Sequence, residues 1–98
     1  MSEKSSRREA RLNVKISDET HRGTYANQMV VAHTRDEFVM DFLVTFPPGP
    51  QVVARLVTAP GHLKRILLAL EDNLRQYEEK YGPVEPAPAP DPVPGPVN

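Results

Sequence analysis

Residues 38–46 carry the feature that most constrains this chain: Phe38, Met40, Phe42, Val44 and Phe46 occupy every second position. A period of two places all five side chains on one face of an extended strand, and aromatic and β-branched residues suit such a pleated surface. A strand this apolar on one side needs neighbouring strands and a layer to cover it. The flanking sequence offers both.

Residues 12–16 (Leu-Asn-Val-Lys-Ile) alternate apolar and polar, the pattern of a half-buried strand. Ser17, Asp18 and Glu19 bring turn or helix-cap chemistry, and Gly23 closes that connection. Residues 24–33 read as a second strand, Thr34-Arg35-Asp36-Glu37 as a polar turn, residues 38–46 as the third strand and 51–58 as the fourth. Between the last two, Pro47-Pro48-Gly49-Pro50 must be a loop, because proline has no N–H to give to a ladder. The period then changes to 3.6. Leu63, Ile66, Leu67, Leu70, Leu74, Tyr77 and Tyr81 lie within about 60° of one line on a helix over residues 60–81. Pro60 fits its first turn and Gly82-Pro83 stops it. At 1.5 Å per residue the helix is about 33 Å long, as long as a ten-residue strand.

Opposed residues of an antiparallel pair share a face, so a register assigns every side chain. Setting Phe42 against Ala54 brings Met40 to Leu56 and Asp41 to Arg55. Closing the earlier turn at His33 and Phe38 brings Met29 to Phe42 and Val31 to Met40. One face then holds Tyr25, Met29, Val31, Phe38, Met40, Phe42, Val44, Phe46, Val52 and Leu56, the face the helix is expected to cover. The other holds Val30, Ala32, Val39, Asp41, Leu43, Val53, Arg55 and Val57. It is too apolar for water, and one helix cannot cover both sides of a sheet. These eight residues are therefore the expected interface with another chain. Leu68, projecting from the charged side of the helix, points the same way.

The expected fold class is α+β: a four-stranded antiparallel sheet followed by one C-terminal amphipathic helix, with disordered N- and C-terminal tails. Residues 1–10 are almost wholly polar, residues 11–82 form the single domain, and residues 83–98 hold seven prolines in sixteen positions, a composition for extended polyproline chain rather than a core. A domain of roughly 70 residues has a marginal core, and oligomerisation commonly supplements it. There is no cysteine, so neither disulfide nor zinc-thiolate site can contribute. No signal peptide or membrane-spanning run is visible, which makes the cytoplasm the expected location. The net charge of −1 argues against bulk nucleic-acid binding, although it is uneven: residues 1–70 carry +3 and residues 71–98 carry −4.

Residue chemistry points away from catalysis. His21, His33 and His62 share no metal-ligand spacing, the few serines form no nucleophile elbow, and no glycine pattern cradles phosphate. Asp41 and Arg55 read as a cross-strand ion pair that fixes register more than it adds stability. Lys4, Arg7, Arg8 and Arg11 form a basic cluster, but Glu3 and Glu9 dilute it and no aromatic is interleaved to stack on bases. The Asn27 amide, beside Tyr25 on the helix-facing side, is expected to satisfy backbone groups near the helix end or the proline loop; a small-ligand site is the functional alternative. Within the proline-rich tail, Pro83-Val84-Glu85-Pro86 is the single P-x-x-P spacing, a weak docking motif.

Three strings together are distinctive: Gly23-Thr24-Tyr25-Ala26-Asn27, Glu37-Phe38-Val39-Met40-Asp41-Phe42, and Pro60-Gly61-His62-Leu63-Lys64-Arg65 with a closing Tyr77-Glu78. With Ile16-Ser17-Asp18-Glu19 ahead of them, residues 12–81 resemble a family of small bacterial and archaeal proteins, domain of unknown function 3467. The resemblance implies no activity. The chain departs from the family pattern at Ala59 and Gly61, where a Ser/Thr cap and a Glu are usual. The departure weakens the helix start by about 1 kcal/mol unless Thr58 caps instead. A long antiparallel sheet backed by a C-terminal helix is also similar to the export chaperone SecB at the level of fold. The expectation is a non-enzymatic interaction or adaptor protein without cofactor or metal, acting as a homodimer or larger through its apolar sheet face, with an unidentified protein partner. The alternative is a SecB-like holdase that offers apolar surface to unfolded chains.

Overall fold

The computed structural model describes residues 13–88. The polar segment 1–10, Leu12 of the expected first strand, and the tail beyond residue 88 lie outside the described residues. A short helix α1 (Asp18–Arg22) is followed by β1 (Gln28–His33), β2 (Phe38–Val44), β3 (Gln51–Thr58) and helix α2 (Pro60–Tyr81). The strands form one antiparallel sheet in the order β1-β2-β3. The class is α+β, with three strands among the described residues where four were expected.

The register is the one the alternation implies. Met29 opposes Phe42, Val31 opposes Met40, and His33 opposes Phe38. On the other side Met40 opposes Leu56, Asp41 opposes Arg55, and Phe42 opposes Ala54. Thr34 shapes the first turn: its N–H donates to the Glu37 carbonyl (2.9 Å), and its hydroxyl accepts from the N–H groups of Asp36 (3.3 Å) and Glu37 (3.2 Å). His33 and Phe38 then close the hairpin with their rings 5.3 Å apart. One departure follows. A bulge after Phe42 leaves Val53 unpaired and sets Leu43 against Val52. Val52 therefore shares the face of Leu43, not that of Phe42.

Of the strand expected at 12–16, the described residues 13–16 join no ladder, and Val14 and Ile16 are exposed. Alternation specifies which side of a strand is apolar but supplies no edge to pair with. The strand expected over 24–33 begins only at Gln28, and the one expected over 38–46 ends at Val44. Ser17 does cap α1, its hydroxyl accepting from the Thr20 N–H at 3.1 Å, and Gly23 ends that helix at φ 81°.

Helix α2 has the expected limits but not the expected place. Its stripe was to cover the Phe42 face; instead Leu67, Leu70, Leu74, Tyr77 and Tyr81 are all exposed, and so are Met29, Val31 and Leu56 on the sheet. No helix–strand pair makes contact on the scale of the strand pairs. The reason lies in the connection. Only Ala59, in extended conformation (φ −78°, ψ 154°), separates β3 from α2. That is shorter than the roughly two to six residues usually needed to turn a helix back over a sheet. Ala59 also provides no side-chain cap, and Thr58, the last residue of β3, does not replace it. At the other end Gly82 adopts φ 99°, its N–H donating to the Glu78 carbonyl at 2.8 Å, while the Glu78 carboxylate accepts from the Val84 N–H at 2.9 Å.

Burial accordingly concentrates on the central strand. Met40 (7% exposed) and Leu43 (1%) are the buried apolar residues among those described, one on each face of β2. Phe42 is only half-buried. Leu43→Ala should lower stability by about 2–5 kcal/mol in urea unfolding, and by more than Phe42→Ala, reversing the order that a helix-covered Phe42 would give. Supplying the missing cap through Ala59→Asp should raise stability by about 1 kcal/mol in the same measurement; an unchanged midpoint would show that the start of α2 is held by other contacts.

Candidate functional site

The eight residues expected at an interface fall into cross-strand rows. Val30, Asp41 and Arg55 form one row, and Ala32, Val39 and Val57 the next. Leu43 lies opposite Gln28 and Val52, with Val53 at the bulge beside them. The sheet thus brings the whole set together on one face, but not equally open. Leu43 and Asp41 are buried within the single chain, Val30, Val39 and Val53 are half-buried, and Ala32, Arg55 and Val57 are exposed. Val57, at 52% exposure, is the large apolar residue of the set that this chain leaves open.

Asp41 is the one buried charge among the described residues, 3% exposed. Arg55 meets it as a fork, Nε donating to Oδ1 at 2.6 Å and Nη2 to Oδ2 at 2.8 Å. Bidentate geometry of this kind gives orientation as well as attraction. The hydrogen bonds from Arg55 are the main cause that holds the Asp41 carboxyl below its ordinary pKa; burial opposes them, and the Arg55 charge adds to the lowering. The same hydrogen bonds, then the Asp41 charge, raise Arg55, against a smaller effect of burial. Neighbouring Gln28 carries a buried Oε1 that has no hydrogen-bond partner among the described residues.

The opposite face has its own polar fixture. Asn27 donates its N–H to the Leu43 carbonyl (2.9 Å) and its Nδ2 to the Thr45 hydroxyl (3.0 Å), while its Oδ1 accepts from the Thr45 N–H (3.1 Å). The amide replaces ladder hydrogen bonds where β2 has ended and the proline loop is about to begin, the backbone-satisfying role its position implies. Tyr25 stacks on Phe46 beside it, with ring centroids 5.9 Å apart and nearly parallel. On α2 the polar side is knitted by Arg75, which pairs with Asp72 and approaches Glu79 at 3.6 Å, and by Gln76, which donates to Asp72 at 2.9 Å. His33 lies against Phe38 and His62 in the first turn of α2. No group of three or more His, Asp or Glu gathers to hold a metal among the described residues. The basic cluster of Lys4, Arg7, Arg8 and Arg11 lies outside them.

Sequence reasoning missed Thr45 as the partner of Asn27, the bulge at Val53 and the buried Gln28 acceptor. Only the first left a signal, a hydroxyl residue one place before Phe46-Pro47, where a strand must stop.

A short antiparallel sheet with a trailing amphipathic helix defines a small α+β domain. The chain belongs to the family described as protein of unknown function DUF3467, which it matches over residues 1–86. That match reaches beyond the family strings at both ends. No curated protein and no solved structure matches the chain. No described helix is long and apolar enough to cross a membrane.

The Asp41–Arg55 pair makes an acid-dependent contribution to stability with a definite sign. Because the Asp41 pKa is lowered in the folded state, the unfolded chain takes up the proton first as pH falls. The contribution is therefore whole above the unfolded carboxylate range and is lost as pH drops through the folded value. Urea unfolding at a series of pH values should show a steeper acid decline for the wild type than for Asp41→Asn; parallel declines would mean that the pair has no such role.

Proposed function

We propose that this protein is a non-enzymatic interaction module that works as a homo-oligomer through its apolar sheet face, in a cysteine-free, cytoplasmic setting. The observation that carries this reading is the size of the core. The two buried apolar side chains among the described residues, Met40 and Leu43, are too few to hold a domain of this length. Apolar area removed from water stabilises by about 25 cal/mol per Å². The side chains that would supply the remaining area stand exposed on the sheet and on α2. A second copy of the chain meets that need with no other component, and self-association of this kind is usually symmetric. The row of Ala32, Val39 and Val57 would lie at the contact, with Asp41 and Arg55 setting the register beside it.

Leu43 is unsuited to test this, because its burial within one chain would make Leu43→Glu unfold the protein in any case. Val57→Glu places the charge where the single chain is open. Analytical ultracentrifugation at micromolar concentration should give a dimer or larger species for the wild type and for Lys15→Glu, and a smaller folded species for Val57→Glu. Wild-type protein that sediments as a stable monomer would overturn the reading. Its exposed apolar surface would then favour the SecB-like holdase, with suppression of aggregation of unfolded proteins as the assay.

A further inference from the structure

We infer that helix α2 of one copy lies on the Met29–Val31–Leu56 face of a second copy, so that the two copies exchange helices. The inference rests on the homo-oligomer proposed above and says what covers the opposite face of its sheet. Two apolar surfaces of the same chain stand uncovered: Leu70, Leu74 and Tyr77 on α2, and Met29, Val31 and Leu56 across the three strands. The single-residue connection at Ala59 leaves the helix no loop in which to fold back over its own sheet.

Self-association could pair these surfaces in three ways. Helix against helix would leave the sheet face in water, and sheet against sheet would leave the helix stripe in water. Exchange alone covers both. A helix of 22 residues, about 33 Å, is long enough to run the length of an eight-residue strand. Half-exposed side chains of these sizes offer about 100 Å² each, so two reciprocal contacts through these six residues bury roughly 1,200 Å² in total, the lower bound of a stable interface.

Isotope-filtered NMR on an assembly of the full chain, formed by mixing ¹³C-labelled and unlabelled protein, tests this directly. Expected are intermolecular NOEs between the methyl groups of Leu70 and Leu74 and those of Met29, Val31 and Leu56. The same NOEs found only within a chain would overturn the inference, since the helix would then cover its own sheet. An oligomer whose intermolecular NOEs join Val57 and Ala32 alone, or α2 to α2, would overturn the exchange while leaving the homo-oligomer standing. A monomer would remove both. As a second measurement, Leu70→Asp/Leu74→Asp should give a smaller species than the wild type in sedimentation, whereas Arg65→Asp, on the charged side of the same helix, should leave the assembly unchanged.

Discussion

The connection at Ala59 governs the rest of the structure. One residue of extended chain joins a strand directly to a 22-residue helix that begins with proline. A longer loop would let the helix lie across the sheet and give the chain an ordinary two-layer core. Without it, the amphipathic stripe and the sheet face it matches are both made by the same chain, yet much of each stays exposed. Two later features follow from this separation among the described residues: burial confined to β2, and exposed apolar residues on β1, β3 and α2.

Within the sheet, specificity comes from the central strand. β2 is paired on both sides, so its register determines the faces of β1 and β3. Asp41 and Arg55 reinforce that register, because a one-residue slip would bury an unpaired carboxylate next to Leu43. Asn27 performs a related task where the ladder ends, meeting the Thr45 backbone before the prolines make further pairing impossible. These polar contacts determine where the apolar surfaces point.

The two sheet faces then differ in kind. The face with Leu43, Asp41 and the bulged Val53 is half closed already and presents Val57 and Ala32 at its margin. The face with Met29, Val31 and Leu56 is open and of a size to suit a helix.

By itself the sequence determined periods, stops and register. The alternation from Phe38 placed β2, the change to 3.6 placed α2 to the residue, and the paired turns predicted Met29 opposite Phe42 and Asp41 opposite Arg55, because these depend on local geometry and nearest-neighbour pairing. Tertiary structure alone decided the rest. The pattern at 12–16 has the signature of a strand but no edge to join, since a strand exists only through its partner. The bulge that carries Val52 to the face of Leu43 is a backbone irregularity with no composition of its own. The stripe on α2 announces that the helix must bury one side, but an apolar surface is recognised equally by any apolar surface. Whether it meets its own sheet or that of another copy depends on the length of the link between them, which periodicity does not encode.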